Sequence, residues 1–109
     1  MKLLCVDSEP VYREIISLCA EKENVRVRSV SSYDDAVQAF IDYAPDMVTL
    51  DVVVKGGSGF DLVKKLKALS GNRFIPMIFL SSQTSDTVMD KCFKSGADDF
   101  IPKPFNEVL

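Results

Sequence analysis

The 109-residue sequence contains no histidine and no tryptophan. Lack of histidine removes the commonest general base and the commonest transition-metal ligand. It also excludes a Ser-His-Asp or Cys-His nucleophile within the chain, so any bound metal would be a hard cation held by oxygen. The three cysteines, Cys5, Cys19 and Cys92, show no CxxC spacing. They read as small, reduced core residues of a cytosolic protein. No apolar run approaches the roughly 20 residues of a membrane span. The opening "MKLLCVDSEP" turns acidic too soon for a secretory signal. A basic excess is missing as well: 13 Lys and Arg are scattered among 16 Asp and Glu, for a net charge of -3. That balance excludes direct nucleic-acid binding by this segment, which needs clustered cations. There is no P-loop, no GxGxxG, no internal repeat and no low-complexity tract.

What is present is one domain's worth of chain, 47% apolar and 27% charged. Short apolar runs alternate with amphipathic stretches. "KLLCV" (2–6), "VRVRSV" (25–30), "MVTL" (47–50), "PMIFL" (76–80) and "DFI" (99–101) read as strands. Between them, Val11, Ile15, Leu18 and Cys19 recur at helical spacing behind Pro10, a residue suited to a first turn. Ser31 and Ser32 precede Asp34 and Asp35 as a capping pattern, with Ala36, Val37, Phe40 and Ile41 as the buried face. Leu62, Val63, Leu66 and Leu69 mark a third helix that stops near Gly71. Val88, Met89, Cys92 and Phe93 mark a fourth, closed by Gly96. Five strands alternating with four complete helices imply an α/β fold with a parallel sheet wrapped on both faces. "PFNEVL" reads as the opening of a fifth helix, needed to cover the sheet evenly. Its truncation is expected to expose apolar surface on one face and to lower stability.

Asp51 interrupts the apolar run "MVTLDVVV", where a carboxylate is costly unless its charge is used or neutralised. Other polar residues also follow strands: Asp7, Ser8 and Glu9 the first, Ser81 and Ser82 the fourth, Lys103 and Pro104 the fifth. A parallel sheet would bring these groups to one edge, where ligands of such folds sit. Carboxylates, a hydroxyl and an ammonium together suit an octahedral cation and a phosphoryl group. The loop Gly56–Gly57–Ser58–Gly59 leads into a helix, whose backbone N–H groups favour anions. Singly, each of these residues reads equally as a turn, a cap or a solvated side chain.

Four stretches, "LLCVDSEP", "PDMVTLDVVVKGGSGFDLVKKLK", "IPMIFLSS" and "SGADDFIPKPF", together resemble a response-regulator receiver domain of two-component signalling, over nearly the whole chain. The resemblance implies a flavodoxin-like, doubly wound five-stranded parallel sheet in the order 2-1-3-4-5. It implies that residues 1–109 form the N-terminal part of a longer response regulator. Asp51 matches the phosphoacceptor, charged from a sensor histidine kinase or a histidine phosphotransfer protein. Asp7, Asp51 and the backbone carbonyl of Val53 match ligands of Mg²⁺ or Mn²⁺, with Ser8 or Glu9 as a further candidate. Ser81 and Lys103 match the groups that hold the phosphoryl oxygens. Phe100 matches the aromatic switch position, and the Lys103–Pro104 bond the cis peptide. Val53 and Gln83 occupy positions that tune hydrolysis of the aspartyl phosphate. An output domain or partner protein would read the switch, and pairing of two copies is left open.

Three departures from the family pattern carry expectations of their own. Ser8 replaces a metal-site acid, so Mg²⁺ should bind weakly; the same residue reads equally as a cap of the first helix. Lys55 stands where proline is usual. Apolar Val53 is poorly suited to orient water, so the phosphoryl group should be long-lived. Two other readings compete with a working receiver. One is a receiver-like interaction module independent of phosphate, motivated by Ser8. The other is a flavodoxin-like cofactor-binding protein, which would be yellow if it held flavin.

Overall fold

A helix stands between each successive pair of sheet strands, and such spacing favours crossovers over hairpins. The computed structural model describes residues 1–104. In chain order it contains β1 (Lys2–Val6), α1 (Pro10–Lys22), β2 (Arg26–Val30), α2 (Tyr33–Tyr43), β3 (Met47–Leu50), β4 (Val53–Val54), β5 (Gly57–Ser58), α3 (Gly59–Ser70), β6 (Met77–Ser81), α4 (Asp86–Lys94) and β7 (Asp99–Pro102). The main sheet runs β2-β1-β3-β6-β7 with every neighbour parallel. Counting those strands alone, this is the expected 2-1-3-4-5 order. The small antiparallel pair β4–β5 is an addition that hydrophobic periodicity did not mark, since each strand has two residues. The fifth helix expected after Pro104 falls on residues 105–109, outside the described residues.

Side-chain alternation along each strand divides the core in two. Leu4, Val6, Val48, Leu50, Met77 and Phe79 join the faces of α2, α3 and α4 in the larger cluster. Leu3, Cys5 and Leu80 face the other way, where Ile16 of α1 joins them. That thinner layer borders a groove of about 270 Å³ lined by Met47, Thr49, Ile78 and Ile101 among others. No helix among the described residues is long and apolar enough to cross a membrane.

The helices start where their sequences signal. Pro10 occupies the first turn of α1. Ser32 Oγ accepts the Asp35 N–H at 3.2 Å, and Ser58 Oγ accepts the Asp61 N–H at 3.1 Å. The predicted faces need adjustment. Val11, Leu18, Ile41, Leu69 and Phe93 are exposed. The buried stripe of α1 is Ile16 and Ala20, and that of α2 gains Ala39. The apolar residues flanking each stripe widened it on paper, whereas packing selects the narrower arc that faces the sheet.

Candidate functional site

Register decides which polar residues meet. Val6 pairs with Leu50, so Asp7 and Asp51 leave adjacent strands at one level. Ser81 pairs with Pro102, so Ser81 and Lys103 sit at the same edge. The direction of strand addition reverses between β1 and β3, the point at which open α/β sheets form their ligand crevice.

Asp7, Asp51 and Lys103 are all more than nine-tenths buried. Isolated buried charges cost several kcal/mol each, roughly, and persist only when paired. Here Lys103 Nζ donates to Asp7 Oδ2 at 2.8 Å and to Asp51 Oδ2 at 2.9 Å. The remaining oxygens are also occupied: Asp7 Oδ1 accepts the Glu9 N–H at 2.9 Å and Asp51 Oδ1 the Val52 N–H at 2.6 Å. Burial pulls the Lys103 pKa down, but hydrogen bonds and charge from Asp51 and Asp7 outweigh it, and the net shift is upward from 10.5.

Glu9 lies beside this pair, its Oε1 3.6 Å from Lys103 Nζ. One carboxylate oxygen each of Asp7, Glu9 and Asp51 falls within 4.8 Å of the others. An all-oxygen donor set of this compactness fits Mg²⁺ or Mn²⁺. Three carboxylates against one ammonium leave a formal charge of -2, which a divalent cation would cancel. Ser8 is exposed and brings no charge to that cluster. Nor does it cap α1: the N-cap is Glu9, with no side-chain capping bond. The cap reading fails because Pro10 already fills the first helical position, which sets the cap one residue later than Ser8.

The other candidates gather around this centre. Ser81 is buried at the end of β6, and its Oγ accepts the Gln83 N–H at 3.0 Å. That bond leaves the hydroxyl proton to be donated elsewhere. The Lys103 N–H donates to the Ser81 carbonyl at 2.8 Å, tying the two residues through the backbone. The Lys103–Pro104 peptide is cis. Phe100 is buried in the larger core cluster and pairs with Phe79 across the strands. The Val53 side chain stands exposed at the rim, as does that of Lys55.

Gly59 fixes the loop behind Asp51. Its N–H donates to the Val52 carbonyl at 2.7 Å. A Cβ there would lie 2.0 Å from the Asp51 carbonyl oxygen, so glycine is the residue that lets α3 start this close to Asp51.

Two contributors escaped the sequence. The Tyr12 ring centroid lies 4.1 Å from Lys103 Nζ. Arg13 Nη1 donates to the Asp7 carbonyl at 2.7 Å. Tyr12 stands four residues before Ile16 and eight before Ala20. Counted as part of that stripe, it would have been placed above the strand ends.

Comparison with known proteins identifies the family and the fold. Residues 3–108 match the family described as response regulator receiver domain. The chain is 32% identical over 105 residues to the phosphate regulon transcriptional regulatory protein PhoB of Escherichia coli, covering 96% of this chain and 46% of that protein. It is 33% identical over 103 residues to the two-component response regulator ORR3 of rice, covering 94% of this chain and 79% of that one. The chain thus spans about half the length of PhoB. Among solved structures, the Vibrio cholerae chemotaxis response regulator CheY4 superposes with a TM-score of 0.91 at 25% identity, covering 98% of this chain and 89% of that one. The BeF3-activated receiver domain of Klebsiella pneumoniae RstA gives 0.88 at 26%, covering 97% and 88%.

Proposed function

The chain belongs to the response-regulator receiver domain family, and from that premise we propose that Asp51 accepts a phosphoryl group from a phosphohistidine partner. The observation that carries this reading is the buried Asp7–Lys103–Asp51 cluster at the switch point of the sheet. A sheltered carboxylate held between fixed donors is arranged for nucleophilic attack.

In the proposed step an Asp51 carboxylate oxygen attacks phosphorus in line with the P–N bond. That bond breaks, its electron pair stays on the imidazole nitrogen, and the ring, already protonated on its other nitrogen, leaves neutral. Lys103 exchanges its Asp51 oxygen for a phosphoryl oxygen, and the Ser81 hydroxyl donates to another. A divalent cation held by Asp7, Asp51, Glu9 and the Val53 carbonyl would supply further charge neutralisation. Phe100 then repacks as Ser81 moves, and the altered surface is read by an output domain or partner. The chain would act as a regulatory domain that assists its own phosphorylation and dephosphorylation. The exposed apolar Val53 offers no group to hold water, so the phosphoryl group would be long-lived.

The test is incubation with acetyl phosphate across a Mg²⁺ titration, followed by intact mass. Acetate then leaves as the P–O bond breaks. One phosphoryl group, dependent on metal and absent in Asp51→Asn, is the expected result, with slow decay once donor is removed. No adduct from either acetyl phosphate or a phosphohistidine donor would sink the proposal and favour a phosphate-independent interaction module.

A further inference from the structure

Lys103 has three N–H donors and almost no access to water, its side chain being 1% exposed. Two donors are taken by Asp7 Oδ2 and Asp51 Oδ2. On another side of the ammonium stands the Tyr12 ring, centroid 4.1 Å away, well within the range of a cation–π interaction. The helix that carries the ring is itself held in place. Pro10 sets the entry of α1, Ile16 and Ala20 anchor that helix to the sheet, and Arg13 ties its first turn to the Asp7 carbonyl.

We propose that Tyr12 is a positioning residue, whose ring face holds the Lys103 ammonium between Asp7 and Asp51 for phosphoryl transfer. This rests on the receiver reading above and deepens it. A π face attracts the cation without cancelling its charge, so Lys103 keeps its full charge for the incoming phosphoryl oxygens. A carboxylate in the same place would compete for the donors that the transfer needs. Glu9 is such a competitor, 3.6 Å from Nζ. Tyr12 touches the lysine rather than the reacting atoms, so its effect on the reaction is transmitted through Lys103.

The experiment compares wild type, Tyr12→Phe and Tyr12→Leu by two readouts. The first is the proton shift of the Lys103 ε-methylene without phosphodonor. The second is the initial rate of phosphorylation by acetyl phosphate at saturating Mg²⁺. Wild type and Tyr12→Phe should show ring-shifted ε-protons and similar rates. Tyr12→Leu should lose the shift and react on the order of 30-fold more slowly, the size of a desolvated cation–π contact. Should Tyr12→Leu fail to fold, Tyr12→Met makes the same comparison. A folded ring-less variant reacting at the wild-type rate would overturn the proposal, as would unshifted ε-protons in the wild type. A Tyr12→Phe variant as slow as the ring-less one would assign the effect to the hydroxyl and overturn it too. A wild type that shows the shift but takes no phosphoryl group would overturn the receiver reading and the role of Tyr12 together, the shift locating the failure in the former.

Discussion

Ser8 and Glu9 are neighbours in sequence, yet they stand differently toward the charged centre. Glu9 brings a carboxylate oxygen within 4.8 Å of those of Asp7 and Asp51, whereas Ser8 offers only a neutral, exposed hydroxyl. The Glu9 N–H also donates to Asp7 Oδ1, so the turn that carries Glu9 is coupled to Asp7. On the proposed reading, Glu9 would supply from the next position the negative charge that the family's usual acid brings at Ser8. Glu9 itself is exposed, so its carboxylate must be drawn in from solvent, and weaker metal binding remains the expectation. Glu9→Gln should lower Mg²⁺ affinity by roughly tenfold, the usual scale for loss of a group around a metal. Ser8→Ala should leave it unchanged. Isothermal titration of both variants is the check, and an unchanged Kd for Glu9→Gln would remove Glu9 from the metal site.

At the scale of elements, the turn from β4 into α3 shows that two neighbouring glycines can answer to different constraints. A Cβ on Gly57 would meet the Tyr33 ring at 2.7 Å, so that side chain, and not the backbone of Asp51, would have to shift. A Cβ on Gly59 would meet the Asp51 carbonyl oxygen at 2.0 Å, and the backbone can yield only by displacing Asp51. Gly59→Ala should therefore cost about 3 kcal/mol in urea unfolding, at the upper end for overpacking, and should slow phosphorylation. Gly57→Ala should cost about 1 kcal/mol and leave phosphorylation intact. Equal losses in the two variants would show that the close approach to Asp51 is not what demands glycine. In the sequence both residues belong to one loop, and nothing in "KGGSG" distinguishes them. Other features are legible in the sequence alone. Alternation of strands and helices gives the parallel sheet, and its 2-1-3-4-5 order follows only from the family resemblance. Ser32 and Ser58 announce their helices through local hydrogen bonds that do not depend on the rest of the chain. Asp7, Asp51, Ser81 and Lys103 were picked out because each follows a strand, and a parallel sheet collects strand ends. Tyr12 lies on a helix, and its meeting with Lys103, 91 residues later, depends on how α1 is rotated against the sheet. That rotation is a packing outcome, as the exposure of Val11 and Leu18 also shows.

The whole molecule hides ionisable groups in both of its core layers and at the sheet edge between them. Cys5 lies in the thin layer beneath α1, and Cys92, on α4, faces the thicker one. Burial above all pushes both thiols up from 9.0 to about 11. Between those values the unfolded chain releases protons that the native one keeps. Unfolding is then favoured as pH rises, so the stability associated with the neutral thiols is full below pH 9 and is lost through pH 11. Lys103 acts in the same direction but later. Its pKa is raised above 10.5, so its pairing with Asp7 and Asp51 is intact below that value and fails only when the ammonium loses its proton. Unfolding by urea under reducing conditions should thus give a level stability from pH 7 to about 8.5, followed by a decline of up to about 1.4 kcal/mol per pH unit for each thiol. Cys5→Ala with Cys92→Ala should start from a lower stability, by about 1 kcal/mol for each small cavity. Its profile should then stay flatter between pH 9 and 10.5 and fall beyond that, where Lys103 titrates. A double variant that declines as steeply as the wild type from pH 9 would mean that the alkaline weakness does not lie in the two core thiols.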